Sequence, residues 1–160
     1  ILGAMSTRVR PLDEADLPAL AAIDAAYAAA HGLEGAVSPG ALRFFGRNEH
    51  SFTAEDDGGG PTGFLLAQAV WTGDRPLVLV TRLATRPDAE EAQEALVRAL
   101  VKSAYDAGVY DLLARAPRTD PGLQAALAAE AFAPDEQLAF VRVLGSRGAA
   151  RQAGTEAHHG

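Results

Sequence analysis

The sequence contains no cysteine and a single lysine, Lys102, among its 160 residues. The lack of cysteine excludes disulfides, thiolate metal sites, iron–sulfur clusters and cysteine nucleophiles. Acidic residues outnumber basic ones by 21 to 14, and the resulting net charge of −7 opposes binding to the phosphate backbone of nucleic acid. The bias towards arginine and alanine indicates a GC-rich bacterial genome rather than a particular function.

Long hydrophobic runs are also missing. The two longest, Phe64–Trp71 and Leu77–Ala84, are less than half of the roughly 20 residues that span a membrane, so we expect no transmembrane segment. Residues 1–4 lack the basic start of a signal peptide and precede the only methionine, Met5, so we interpret them as a cloning remnant and expect a cytoplasmic protein.

The length and the 48% hydrophobic content predict one globular domain over residues 5–145. Residues 146–160 contain no leucine, isoleucine, valine or aromatic residue, and we expect them to form a polar tail. Two terminal histidines, His158 and His159, lack a third ligand, so no metal site is predicted.

Hydrophobic periodicity and turn residues predict a mixed α/β (α+β) architecture, a central sheet flanked by helices. The strand that follows the long helix should lie parallel to the strand before it, since a helical crossover joins them. The predicted elements are a strand at Thr7–Arg10, a helix from Asp13, a helix capped by Ser38 with Pro39 at its first position, three antiparallel strands at His50–Glu55, Gly63–Trp71 and Leu77–Thr85, a long helix at Asp88–Ala107, a strand at Val109–Ala114, a helix from Asp120 to about Glu130 and a last strand at Gln137–Leu144.

This order resembles the Gcn5-related N-acetyltransferase (GNAT) fold from Thr7 to Leu144. Two short stretches also resemble the family: Val9–Leu17, which is similar to its opening strand and capped helix, and Leu127–Pro134, which is similar to a helix followed by a Gly-Phe pair. The resemblance implies an acyl-CoA-dependent N-acyltransferase that holds pantetheine between diverging strands, here Leu77–Thr85 and Val109–Ala114. It implies acetyl-CoA or another acyl-CoA as cofactor, and a small-molecule or peptide amine as partner.

The chain departs from the family at the loop that wraps the cofactor diphosphate. Residues 88–95 contain no glycine and four carboxylates, where the family has a glycine-rich loop at a helix N-terminus. Asp88 and Glu91 have the spacing of a capping box, which would satisfy the helix amides with the protein's own side chains. We therefore expect weak acyl-CoA binding.

Candidate cofactor contacts follow from the resemblance and from the remaining positive charge. They are backbone groups near the end of the fourth strand and three arginines that could offset the carboxylates: Leu83, Ala84, Thr85, Arg86, Arg115 and Arg118.

The acid–base groups of the family are also changed. Counting from Phe132, the family's tyrosine acid falls on Leu127 and its preceding asparagine on Asp120. Leucine cannot donate a proton, and the remaining candidates for the catalytic acid are Tyr105 and Tyr110. Two hypotheses stay open: an acyltransferase with an altered cofactor loop, and a catalytically inactive module that retains the fold for binding or assembly.

The last predicted strand carries Leu138, Phe140, Val141, Val143 and Leu144 near the end of the domain. An exposed sheet edge with apolar side chains is normally covered, and two-fold pairing is the commonest way for soluble chains to cover one. We predict a homodimer that uses the C-terminal strands of the sheet or the polar tail.

Overall fold

A computed structural model describes residues 6–150, which form a mixed sheet with helices on both faces. The strands lie in the order β1-β2-β3-β4-β5, with the first four antiparallel and β5 parallel to β4. The expectations for residues 1–4 and for the two terminal histidines lie outside the described residues. The α/β class and the parallel crossover are confirmed.

The helices and strands follow the predicted sequence of elements up to the fourth helix. A short 3-10 turn over Glu14–Asp16 precedes the first helix. The elements are β1 (Arg8–Pro11), α1 (Leu17–His31), α2 (Pro39–Gly46), β2 (Phe52–Glu55), β3 (Pro61–Thr72), β4 (Arg75–Thr85), α3 (Glu90–Asp106), β5 (Leu112–Leu113) and α4 (Pro121–Ala129).

Local capping explains several boundaries of the first helices. The Asp13 side chain caps the 3-10 turn before α1 by accepting a hydrogen bond from the Ala15 amide at 2.9 Å, and α1 itself begins at Leu17 rather than near Asp13. Ser38 Oγ caps α2 by accepting a hydrogen bond from the Ala41 amide at 3.0 Å. Gly32 ends α1 in the left-handed conformation, with φ of 64°. These boundaries could therefore be predicted from short-range sequence patterns.

The sheet separates two hydrophobic clusters. Helices α3 and α4 pack on one face, where Leu96, Val97, Leu100, Leu123 and Leu127 lie against the sheet. Helices α1 and α2 pack on the opposite face, where they bury Leu20, Ile23, Tyr27, Leu42 and Phe45. Helices α1 and α4 therefore approach the same edge of β4 from opposite sides of the sheet.

A β-bulge in β4 changes which face its side chains occupy. Leu66 pairs with Arg82 and the next residue, Ala67, pairs with Val80, so Thr81 is the additional residue. Val80 belongs to the α3 cluster, whereas strict alternation would also place Arg82 on that face. The bulge instead turns Arg82 towards α1.

Arg82 forms a buried ion pair with Asp24 of α1, at 2.7 Å between Nη1 and Oδ1. The other carboxylate oxygen of Asp24 accepts hydrogen bonds from the amides of Ala36 and Val37. A second guanidinium nitrogen of Arg82 donates to the carbonyl of Glu34. One carboxylate and one guanidinium thus join α1, the loop before α2 and β4.

The predicted last strand is not formed within the described residues. Residues 137–144 have no strand assignment, although their β-branched and aromatic composition favours one. Residues 145–150, which include the start of the predicted polar tail, are helical. The strand prediction was wrong because a strand requires a neighbouring edge, and the chain does not bring this segment to one.

We predict that Asp24→Ala destabilises the protein by about 3 kcal/mol or more, because it leaves a buried guanidinium without its carboxylate. The free energy of unfolding is measured by urea denaturation. The matched control is Asp111→Ala, which removes the exposed ion pair with Arg75 and should cost less than about 1 kcal/mol. Equal effects of the two variants would contradict the assigned role of Asp24.

Candidate functional site

The site is a gap between β4 and β5. The two strands pair only at Val78 with Leu112 and at Leu79 with Leu113, after which β4 continues to Thr85 without β5. The bulge at Thr81 bends β4 immediately after the last of these pairs. The predicted divergence of the two strands is confirmed, although β5 is shorter than the expected Val109–Ala114.

A cavity of about 550 Å³ lies at the wide end of this gap. Its walls are α1, the junction between β4 and α3, and the first turn of α4. The polar side chains that line it are Tyr27, His31, Thr85, Arg86, Glu90, Gln93 and Asp120.

A second cavity, of about 300 Å³, lies further along β4. It is bounded by Thr81–Leu83, by Arg115–Pro117 after β5, and by Leu33. Tyr27 lines both cavities and separates them. A ligand that extended from one cavity into the other would have to pass this side chain.

The N-terminus of α3 faces the larger cavity, and its structure corrects the predicted capping box. The chain makes a turn in which the Ala89 amide donates to the Arg86 carbonyl at 3.1 Å, so the helix begins at Glu90 rather than Asp88. Glu91 accepts instead from the Thr7 amide at 3.4 Å. Within residues 6–150, no side chain caps α3 and the amides of Glu90–Ala92 have no acceptor.

Tyr27 and Asp120 form a hydrogen bond across the gap. Tyr27 Oη donates to Asp120 Oδ2 at 2.6 Å, while Oδ1 of Asp120 caps α4 by accepting from the Leu123 amide. Burial and the bond to Asp120 raise the pKa of Tyr27, so its hydroxyl stays protonated. This bond links the two helices that lie on opposite faces of the sheet.

His31 extends the contact between α1 and the residues before α4. Its Nδ1 lies 2.6 Å from Thr119 Oγ1, and its ring lies 4.4 Å from the Tyr27 ring, centroid to centroid. These neighbours hold Tyr27 in place over the gap.

The predicted cofactor contacts are divided between the two cavities. Thr85 and Arg86 line the larger cavity, and Leu83 and Arg115 line the smaller one. Ala84 is fully buried in the cluster under α1. Arg118 is exposed and lines neither cavity.

The predicted catalytic tyrosines lie far from the gap. Tyr105 and Tyr110 are exposed, and their rings pack against each other at the C-terminal end of α3. Tyr105 is 15 residues after the helix start, which corresponds to about 22 Å along the axis. Leu127, at the position of the family's tyrosine, is buried in the core.

Sequence reasoning missed Tyr27 as a site residue. Its position on the apolar face of α1 is also that of an ordinary core residue, and Asp120 follows it by 93 positions. Only the contact between α1 and α4 distinguishes this tyrosine from the other two.

Within residues 6–150, we searched for metal-binding clusters and for membrane-spanning helices. No cluster of three or more histidine or carboxylate side chains in this range could hold a metal ion. No helix in this range combines the length and apolarity that crossing a membrane requires.

The architecture is that of the GNAT acetyltransferases. A ribosomal-protein-alanine N-acetyltransferase from Brucella melitensis biovar Abortus 2308 is similar in fold, with 18% identity over 88% of this chain and 100% of that one, and a TM-score of 0.66. A predicted acetyltransferase from Clostridium acetobutylicum, whose structure contains acetyl-CoA, is 15% identical over 86% and 96% of the chains, with a TM-score of 0.64.

The chain belongs to the family described as "Protein of unknown function (DUF1999)", whose model matches residues 7–157. TTHA1254 from Thermus thermophilus is 48% identical over 88% of this chain and 99% of that one. Crystal structures of its point variant and wild type give TM-scores of 0.76 and 0.73. No curated protein matches this sequence.

We predict that Tyr27→Phe lowers the free energy of unfolding by about 1.5–3 kcal/mol, because it removes a buried hydrogen bond to a carboxylate. Urea denaturation measures the change. Tyr105→Phe is the control, since it removes the hydroxyl of an exposed tyrosine and should alter stability by less than about 0.5 kcal/mol. A Tyr27→Phe variant as stable as the control would show that the bond across the gap contributes nothing.

Proposed function

We propose that this chain is a divergent GNAT protein that transfers an acyl group from acyl-CoA to an amine. The observation that carries the proposal is the gap between β4 and β5, which opens into a cavity beside uncapped amides of α3. A gap of this kind can hold an extended chain between two strands, and a helix N-terminus favours an anion at one end of it.

Different groups around the gap would bind the diphosphate and the pantetheine arm of an acyl-CoA. Arg86 and the amides of Glu90–Ala92 would hold the diphosphate, while the free edge of β4 over Thr81–Thr85 offers backbone groups to the pantetheine arm. Glu90 also lines the cavity, and its charge opposes a diphosphate. We therefore propose that binding is weak rather than absent.

Bound acyl-CoA supplies the thioester that an amine attacks. Backbone groups near Thr81, at the end of this edge away from the diphosphate, would polarise its carbonyl. Asp120 is bonded to Tyr27, which lies at the boundary of the two cavities, and its carboxylate can bind the ammonium form of an amine and take up its proton.

The hydrogen bond to Asp120 couples the two acid–base groups. Ionised Asp120 helps to raise the pKa of Tyr27, which makes Tyr27 a poor proton donor. Once Asp120 has accepted a proton, this effect is removed and Tyr27 becomes a better donor to the departing thiolate. Asp120 then returns its proton to Tyr27 Oη across their hydrogen bond, and the second proton that the nitrogen loses passes to solvent. The pair could in this way supply the acid that Leu127 cannot.

The alternative is an inactive module that binds a ligand or partner without acyl transfer. It is favoured by the buried leucine at position 127 and by the Tyr27–Asp120 bond, which closes the gap in this structure. Binding and transfer must therefore be measured separately. An inactive module would bind acetyl-CoA or a partner but release no CoA thiol with any amine.

We predict that acetyl-CoA binds weakly. Glu90→Gln should lower its dissociation constant about three- to tenfold, because the substitution removes a negative charge beside the diphosphate. Isothermal titration calorimetry measures the affinity, and thiol release with a panel of amines measures transfer. The control is Glu94→Gln, which removes a charge one turn along α3 and outside the cavity. Absence of acetyl-CoA binding in the wild type and in both variants would contradict the proposal.

A further inference from the structure

Gln93 is a buried polar residue on the wall of the larger cavity. Its side chain is only 8% exposed, and it lies on the same face of α3 as Glu90, which also lines this cavity. The amide of Gln124 donates to the Pro117 carbonyl at 2.9 Å, whereas the carboxamide of Gln93 has no hydrogen-bond partner within residues 6–150. A buried amide without a partner costs free energy, so its presence requires an explanation.

The carboxamide of Gln93 lies between the first turns of α3 and α4. A Cβ atom at Gly122 would lie 3.0 Å from Oε1 of Gln93 and 3.6 Å from Oδ1 of Asp120. Glycine at position 122 thus leaves room for the polar end of Gln93 beside the Asp120 carboxylate. Both neighbours line the larger cavity, so a ligand in the cavity can reach the carboxamide.

Packing alone does not account for a glutamine at this position. The adjacent core positions of the two helices are apolar, and they include Ala92, Leu96 and Leu123. Methionine has nearly the same length as glutamine and would fill this space without an unpaired polar group. The amide of Gln93 therefore adds nothing to the stability of the free protein, and a bound ligand could supply its missing partner.

The chemistry of a carboxamide limits what that partner can be. Nε2 donates hydrogen bonds and Oε1 accepts them, so the complementary group offers an acceptor and a donor side by side. A phosphate group only accepts hydrogen bonds and would leave Oε1 unpaired. A neutral amide, as in a pantetheine arm, or the amino edge of adenine provides both functions.

Gln93 lies one turn along α3 from the amides of Glu90–Ala92, a distance of about 5 Å. We propose that Gln93 is a ligand-binding residue whose carboxamide hydrogen-bonds an amide of the pantetheine arm or the edge of adenine beside the diphosphate. This inference rests on the proposed function, because a diphosphate at the α3 amides determines which groups reach Gln93. The bond selects ligands that carry such a group next to a diphosphate.

Gln93→Met tests the proposal because stability and binding should change in opposite directions. The substitution removes an unpaired buried amide, so the midpoint of thermal unfolding of the free protein should stay the same or rise. Binding loses a hydrogen bond, so the dissociation constant of CoA should increase about three- to tenfold. Amide chemical-shift titration of ¹⁵N-labelled protein measures the affinity.

Pantetheine and ADP distinguish the two sources of the complementary group. Weaker binding of pantetheine to Gln93→Met, with ADP unaffected, assigns the bond to the pantetheine arm, and the reverse result assigns it to adenine. The matched control is Gln68→Met. Gln68 is a half-buried glutamine of β3 that lines neither cavity, so its substitution should leave all three dissociation constants unchanged.

Gly122→Ala displaces the same carboxamide without changing Gln93 itself. The added methyl group would lie 3.0 Å from Oε1, so the carboxamide must shift by a few tenths of an ångström. CoA should therefore bind more weakly to this variant as well. Alanine is a better helix former than glycine, so the fold of α4 is retained.

A CoA dissociation constant that is unchanged in both variants would overturn the proposal and leave acyl-CoA binding itself intact. Absence of CoA binding to the wild type at millimolar concentration would overturn both this proposal and the proposed function. Weaker CoA binding in both variants, with no thiol release from acetyl-CoA by the wild type, would support the role of Gln93 and reject acyl transfer.

Discussion

The bulge at Thr81 is the local constraint on which the candidate site depends. One additional residue in β4 bends the strand just after its last pair with β5, and it also turns Arg82 towards Asp24. The opening of the gap and the attachment of α1 to β4 therefore have one origin. A strand without this bulge would point Arg82 into the apolar cluster under α3.

The attachment of α1 to β4 also places α1 where it can contact α4. Asp24 holds α1 against β4, and one turn later on the same helix Tyr27 extends across the gap to Asp120. The result is a site made by groups from both faces of the sheet. Its acid–base groups come from the contact between helices, whereas its anion-binding groups come from the end of β4 and the start of α3.

The parts of the structure that short-range patterns control could be predicted from the sequence. Ser38 with Pro39, Gly32 and the alternating strands of the meander each act through neighbours a few residues away. The capping box at Asp88 and Glu91 had the correct spacing but was wrong, because the turn from Arg86 to Ala89 delays the helix and Thr7 binds Glu91 instead. The prediction of the last strand was wrong for a related reason, since strand pairing depends on a partner edge rather than on composition.

The features that define the site have no local signature. The bulge depends on how β3 and β4 align, and the Tyr27–Asp120 bond joins residues 93 positions apart. An isolated tyrosine in an apolar helix and an aspartate at a helix cap are both ordinary. They are site residues because they contact each other across the gap.

The most direct test is to map where CoA binds. The amide chemical shifts of ¹⁵N-labelled protein are measured as CoA is added. We expect the shifts to be concentrated at Glu90–Ala92, where the amides have no acceptor among the described residues, and at Thr81–Thr85 along the open edge of β4. No shift at millimolar CoA, or shifts confined to the Tyr105 and Tyr110 end of α3, would contradict this expectation.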